Sequence, residues 1–112
     1  DGAPKPAVIH FNNCFNMSVE LLHTVAPHAE FATGYMNYNF FTSGESYPAV
    51  FGKLQVAGAA STEQLALWFA QANDALLASK SHHPTTGGVV KLSRLPLIAK
   101  RIDALAIALV TG

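Results

Sequence analysis

The chain alternates short apolar runs with stripes at helical spacing. Residues 7–11, Ala-Val-Ile-His-Phe, are mostly apolar and partly β-branched, the composition of a buried strand. Asn12-Asn13 breaks the run, because Asn tolerates tight turns and left-handed backbone. From Ser18 to Val25 the spacing turns helical, with Val19, Leu22 and Val25 on one side and Leu21 beside them, and Pro27 stops the helix. Residues 30–36 read as a second strand, and residues 37–46, Asn-Tyr-Asn-Phe-Phe-Thr-Ser-Gly-Glu-Ser, as a polar and aromatic loop. A short helix is expected over 47–55, with Pro48 in its first turn, where a missing N–H is harmless.

After the small-residue break at 56–60, Ser61-Thr62-Glu63-Gln64 has the form of a capping box, in which side chains satisfy the orphan N–H groups of a helix start. The helix it opens is expected to reach about Ser79, with Leu65, Trp68, Phe69, Ala72 and Leu76 as its core stripe. Residues 80–88 form a loop, 89–92 a third strand, and 96–110 a final helix with Ile98, Ile102, Leu105 and Leu109 facing inward. The pattern predicts an α/β arrangement with three strands, and no internal repeat or phosphate loop.

Composition sharpens this picture. At 112 residues the chain is one domain or part of one. Half of it is hydrophobic, but only 12% is charged, against about a quarter in an average soluble domain. A surface covered by a partner chain would account for that deficit. Net charge is zero and no basic run appears, so the electrostatic footprint of a nucleic-acid binder is missing. No apolar run reaches the roughly 18 residues of a membrane span.

The single cysteine, Cys14, forms no internal disulfide and fits a reducing compartment such as the cytoplasm. It lies where a strand ends and a helix is about to begin. Ligands and chemistry gather outside the carboxyl ends of strands in open α/β sheets, which makes Cys14 a candidate nucleophile. A free cysteine is also among the most buried residue types and often serves as a small hydrophobe. Position alone leaves both readings open. His82-His83 invites a metal reading, but adjacent residues seldom ligate one ion well and no Cys, Asp or Glu lies near at ligand spacing. No metal or cofactor is expected. Phe40 and Phe41 read as packing residues, or as lining for a pocket beside the thiol.

The segment from Phe11 to about Tyr47 resembles the clostripain family of cysteine peptidases, which shares its caspase-like fold with gingipains, legumains and caspases. That family shows a strand ending in Asp-Ala-Cys-Leu-Met, a helix with a glutamate six residues past the Cys, and a strand running into Gly-Ser-Glu. Here Cys14 takes the nucleophile position, Glu20 the glutamate, and Phe31-Ala32-Thr33-Gly34-Tyr35-Met36 the second strand and its end. Gly44-Glu45-Ser46-Tyr47-Pro48 resembles the family's Gly-Asp-Gly-Trp-Pro-Tyr turn. Gly88-Val89-Val90-Lys91-Leu92-Ser93 and the helix after it resemble its last strand and helix.

The resemblance implies a caspase-like three-layer sandwich, with this chain supplying the C-terminal strands and helices of a larger sheet. It also implies a cysteine endopeptidase in which Cys14 is catalytic and Asn12, Asn13, Tyr35 and Met36 contact a protein or peptide substrate. Two residues depart from the family pattern: Asn12 replaces an aspartate, and Tyr35-Met36 replaces Ser-Glu. Both remove polarity from the pocket that holds a cleavage-site Arg or Lys. Cleavage after an uncharged residue, such as Leu or Met, is therefore expected.

A cysteine nucleophile works as thiolate and needs a base. The family's histidine follows an earlier strand, and only His10 lies upstream here, inside the strand that carries Cys14. His23 and His28 read as packing or solvated residues. The family's sheets have about six strands, against three expected here. The missing strands and histidine would come from a second polypeptide, the N-terminal fragment of the same protease. Asp1 is then either a terminus made by cleavage between His and Cys or an arbitrary boundary. Two rival readings remain: a non-catalytic caspase-like interaction module, and the related caspase-like domain of CHAT proteins.

Overall fold

The computed structural model describes residues 2–39, 45–80 and 86–112. In chain order the elements are β1 (Val8–His10), α1 (Val19–Val25), β2 (Phe31–Tyr35), α2 (Tyr47–Ala57), α3 (Thr62–Lys80), β3 (Gly87–Lys91), a 3-10 turn (Leu92–Arg94) and α4 (Leu95–Thr111). Phe40, Phe41, Gly44 and the His82-His83 pair lie outside the described residues.

Local chemistry sets most of these boundaries. The Ser18 hydroxyl accepts the Leu21 N–H at 3.3 Å and starts α1. The Ser61 hydroxyl accepts the Gln64 N–H at 3.1 Å and starts α3, one half of the expected capping box. α2 runs on to Ala57, two residues further than the sequence pattern marked, because Gly58 adopts φ 72° and closes the helix with its N–H on the Leu54 carbonyl.

β1 pairs parallel with β2, and β2 antiparallel with β3, in the order β1-β2-β3. The register sets Ile9 against Ala32 and His10 against Thr33. Side chains alternate across β2. Ala32 joins Met17, Leu22, Ala29, Leu92 and Leu95 in a buried cluster beneath α1 and the start of α4. Thr33 and Tyr35 face the opposite way, toward α3, with α2 packed against α3. The result is a mixed α/β fold with helices on both sides of a three-stranded sheet.

The α3 side holds a buried polar chain. The Asn73 amide nitrogen lies 2.9 Å from the Phe69 carbonyl, an obligate acceptor, so that atom is the NH2. The same nitrogen is 3.2 Å from His10 Nε2, which must then accept. His10 therefore carries its proton on Nδ1 and donates it to Thr33 Oγ1 at 2.7 Å. Ser46 Oγ completes the chain by donating to Asn73 Oδ1 at 2.6 Å. The His10 ring stacks on Phe69 at 5.0 Å and meets Tyr47 edge-on.

Two expected stripes are corrected. In α3 the fully buried residues are Ala66, Asn73 and Leu77, while Leu65, Trp68, Phe69, Ala72 and Leu76 are only half-buried. Asn73 is the polar residue around which the helix seats, and an apolar stripe passes it by. In α4 only Leu95 is buried. Ile98, Ile102, Leu105 and Leu109 do not face inward; they are 39%, 46%, 60% and 75% exposed. Periodicity marks an amphipathic face without saying that anything in the same chain covers it. The radius of gyration, 16.1 Å, exceeds the roughly 13 Å of a compact chain of this length, as an uncovered helix requires.

Burial lowers the His10 pKa below its ordinary 6.5, because a buried imidazolium loses hydration. Between the folded value and 6.5 the unfolded chain binds more protons, so stability rises with pH there. The His10 contribution is complete above about pH 6.5 and falls as pH drops through that value toward the folded pKa. NMR titration should find the imidazole titrating below 6.5, and His10→Gln should flatten the fall in unfolding midpoint between neutral pH and pH 5. Asn73→Leu, which strands Ser46 and His10, should cost about 1–3 kcal/mol in denaturant unfolding.

Candidate functional site

The thiol is placed by a tight crossing between the ends of two parallel strands. Beyond β1 the Phe11 N–H still donates to the Thr33 carbonyl at 2.8 Å. The chain then folds back over Gly34, where a Cβ would sit 3.0 Å from Phe11 Cβ and 3.3 Å from Met17 Cγ. Only glycine leaves room for that approach. Within the crossing, Phe15 takes φ 58°, a left-handed conformation uncommon outside glycine. It is held there by its N–H on the Asn37 carbonyl at 3.0 Å. Asn16 Nδ2 donates to the Cys14 carbonyl at 3.0 Å.

The loop after β2 grips this crossing again at Asn39, a buried residue. The Asn39 backbone N–H points at Cys14 Sγ, 3.3 Å away, and its side-chain Nδ2 donates to Asn12 Oδ1 at 3.0 Å. Cys14 is exposed, so the buried small-hydrophobe reading does not apply. Around it lie exposed apolar side chains. Phe15 and Tyr38 meet edge to face at 4.9 Å, and both are exposed; Met36, just after β2, lies with its side chain toward Gly88 of β3.

Cys14 and Asn12 thus come together, with Asn12 half-buried and its side-chain oxygen already engaged by Asn39. Asn13 is exposed on the same loop and Met36 is 53% exposed. Tyr35 departs from its expected place. It is 3% exposed and faces α3, where it lines a cavity of about 220 Å³ with His10, Thr33, Asn73 and Asp74. Strand alternation puts it on the opposite face from Gly34, and the substitution pattern that singled it out carries no facing information. Asn39, Tyr38 and Phe15 were not singled out from the sequence. The nearest signal was the repetition of an Asn-rich break directly after each parallel strand, Asn12-Asn13 and then Asn37-Tyr38-Asn39.

Among the described residues, no histidine or carboxylate hydrogen-bonds the thiol. His10 is bound to Thr33 and Asn73 on the α3 side, and His23 and His28 are exposed on and just after α1. Glu45 forms an ion pair with Lys80. Glu20 is exposed in the first turn of α1. Its carboxylate bonds to its own backbone N–H and the Ser18 hydroxyl, which hold its pKa below the usual range. No group of His, Cys, Asp and Glu residues suited to a metal ion occurs among the described residues. The site therefore presents an oriented, accessible thiol with apolar neighbours and, among the described residues, no base hydrogen-bonded to it.

No protein-family model, curated protein or solved structure matches this chain.

The left-handed turn at Phe15 yields a direct test. An L-residue in that conformation carries a penalty of about 1–2 kcal/mol that glycine avoids. Phe15→Gly should therefore be near neutral in stability, its lost contact with Tyr38 offset by relief of the turn. Phe15→Val loses the same contact and adds a β-branched side chain at positive φ. It should unfold at a denaturant midpoint equivalent to about 1–2 kcal/mol less stability than Phe15→Gly.

Proposed function

We propose that this chain is the nucleophile-bearing part of a caspase-like cysteine endopeptidase. The observation that carries the reading is an exposed thiol at the carboxyl end of a parallel strand, held by Asn39 beside an apolar rim. The sheet order supports it. β1, which leads into Cys14, is an edge strand whose outer side has no partner among the described residues. In the caspase-like arrangement that the sequence resembles, the histidine follows an earlier strand, and the β1 edge is open for such a strand.

In this mechanism the Cys14 thiolate attacks the scissile carbonyl, and a histidine from the second polypeptide holds the thiol proton. Collapse of the tetrahedral intermediate breaks the C–N bond, and the imidazolium gives that proton to the departing amine. Water then hydrolyses the thioester and restores the thiol. The oxyanion needs backbone donors. The N–H groups of Phe15 and Asn39 are engaged by Asn37 and by the sulfur. The Cys14 N–H has no hydrogen-bond partner among the described residues and takes the donor role.

Because Cys14 is exposed, simple alkylation by iodoacetamide is expected whether or not the protein is an enzyme. The discriminating reagent is a peptidyl electrophile applied to the complete protein. It should label Cys14 at least tenfold faster than a matched electrophile without the peptide. Cys14→Ala should abolish turnover while leaving the unfolding midpoint nearly unchanged, since the side chain is exposed. Equal labelling rates, or cleavage by Cys14→Ala, would overturn the assignment and favour a non-catalytic interaction module.

Specificity follows from the rim. A cationic side chain entering a partly dry pocket needs an opposite charge, since unpaired desolvation costs several kcal/mol. Asn12 is neutral, Met36, Phe15 and Tyr38 are apolar or aromatic, and Glu45 is already paired with Lys80. A positional-scanning peptide library should show cleavage after uncharged residues, Leu or Met among them. Dominant cleavage after Arg or Lys would show this wrong.

A further inference from the structure

Between α3 and the β2–β3 pair, the sheet carries too little side chain to fill the space beneath the helix. Gly87 stands opposite Tyr35 in the register, on the face turned toward α3, and Gly88 stands opposite Gly34. On the helix, Ala70, Asn73, Asp74 and Leu77 follow at i, i+3, i+4 and i+7, which is one face of α3. Bare positions on the sheet and an alanine on the helix leave a cavity of about 220 Å³. Native interiors hold few voids larger than a water molecule, and an apolar cavity of about 150 Å³ already takes up benzene. Every wall is a described residue, and Cys14 is not among them.

Burial separates the floor of this cavity from its mouth. On the floor, Thr33 is 0% exposed and its hydroxyl accepts the His10 Nδ1 proton. The hydroxyl's own hydrogen then needs an acceptor, and none is present among the described residues. His10 and Asn73 also line the floor but have nothing to donate, because both imidazole nitrogens and both amide hydrogens are already engaged. At the mouth, Asp74 and Gln71 are exposed, and Asp74 has no ion pair among the described residues. No lysine or arginine is among the lining residues, and Ala70, Leu77 and the Tyr35 side chain supply apolar walls.

We propose that this cavity binds a small organic ammonium compound with a compact apolar body and an oxygen acceptor. The ammonium group pairs with Asp74 at the mouth, the body lies against Ala70, Leu77 and Tyr35, and the oxygen takes the Thr33 hydroxyl hydrogen. Asp74 repels anionic ligands, and a purely apolar ligand leaves the Thr33 hydrogen unsatisfied. The volume suits a six-membered ring with a short chain, roughly ten non-hydrogen atoms. The site makes no use of Cys14 and stands whether or not the thiol is catalytic.

Tyramine is the probe, titrated into the complete protein and followed by NMR at the amides of Gly34, Ala70, Gly87 and Gly88. It should bind with a Kd of about 1 mM or tighter, within reach of a ligand of this size. Para-ethylphenol, which lacks the ammonium group, should bind about threefold more weakly, the scale of an exposed ion pair. Phenethylamine, which lacks the phenol oxygen, should bind about tenfold more weakly, the scale of a hydrogen bond to a buried donor. Para-hydroxyphenylacetate sets a carboxylate beside Asp74 and should bind more weakly than para-ethylphenol. Asp74→Asn, at an exposed position, should erase the difference between tyramine and para-ethylphenol. Ala70→Leu fills the cavity and should remove binding of all four compounds while the unfolding midpoint holds or rises. Thr33→Val deprives His10 of its acceptor and endangers the fold, so the oxygen contact is read on the wild type, by comparing tyramine with phenethylamine. Unmoved amides at about 10 mM tyramine overturn the inference. Equal affinity for tyramine and either phenethylamine or para-ethylphenol does the same, as does unchanged tyramine affinity in Asp74→Asn or in folded Ala70→Leu.

Discussion

The buried chain from Thr33 through His10 and Asn73 to Ser46 is the constraint on which the arrangement turns. It joins β1, β2, α3 and the residue that leads into α2 in one set of hydrogen bonds, none longer than 3.2 Å. Each polar group buried there would be costly without its partner, so the four elements are fixed together or not at all. The chain also decides what His10 is not. Both ring nitrogens are engaged on the α3 side, and burial favours the neutral ring. The histidine nearest in sequence to Cys14 is therefore structural, held by Thr33 and Asn73.

The other face of the sheet makes the complementary demand. Gly34 lets Phe11 and Met17 close over β2, and that closure brings Cys14 to the Asn37–Asn39 segment. The left-handed Phe15 is the conformational cost of so short a crossing. The turn is held by the Phe15 N–H on the Asn37 carbonyl, and it leaves the neighbouring thiol exposed. Phe15 and Tyr38, both exposed, pack edge to face beside this thiol and leave an apolar surface there.

Much of this was legible in the sequence because its local signals are chemical. Ser18, Ser61 and Pro48 marked helix starts to within a residue or two, and the apolar runs marked all three strands. The position of Cys14 at a strand end followed from the Asn12-Asn13 break. What escaped depends on facing and on partners. Tyr35 and Met36 are adjacent in sequence, but the strand buries one and exposes the other. Asn73 was invisible because a polar residue in an apolar stripe looks like an interruption until its partners His10 and Ser46 are in place. Asn39 lies 25 residues from Cys14, and no local pattern couples the two.

The stripe of α4 failed for a different reason, and the failure is informative. Ile98, Ile102, Leu105 and Leu109 do form a continuous face, so the periodicity was read correctly and only its destination was wrong. A helix contributes stability by burying such a face, and a water-exposed face forfeits that contribution while leaving an apolar surface open to association. The low charge of the chain compounds this, since few of its residues oppose nonspecific contact.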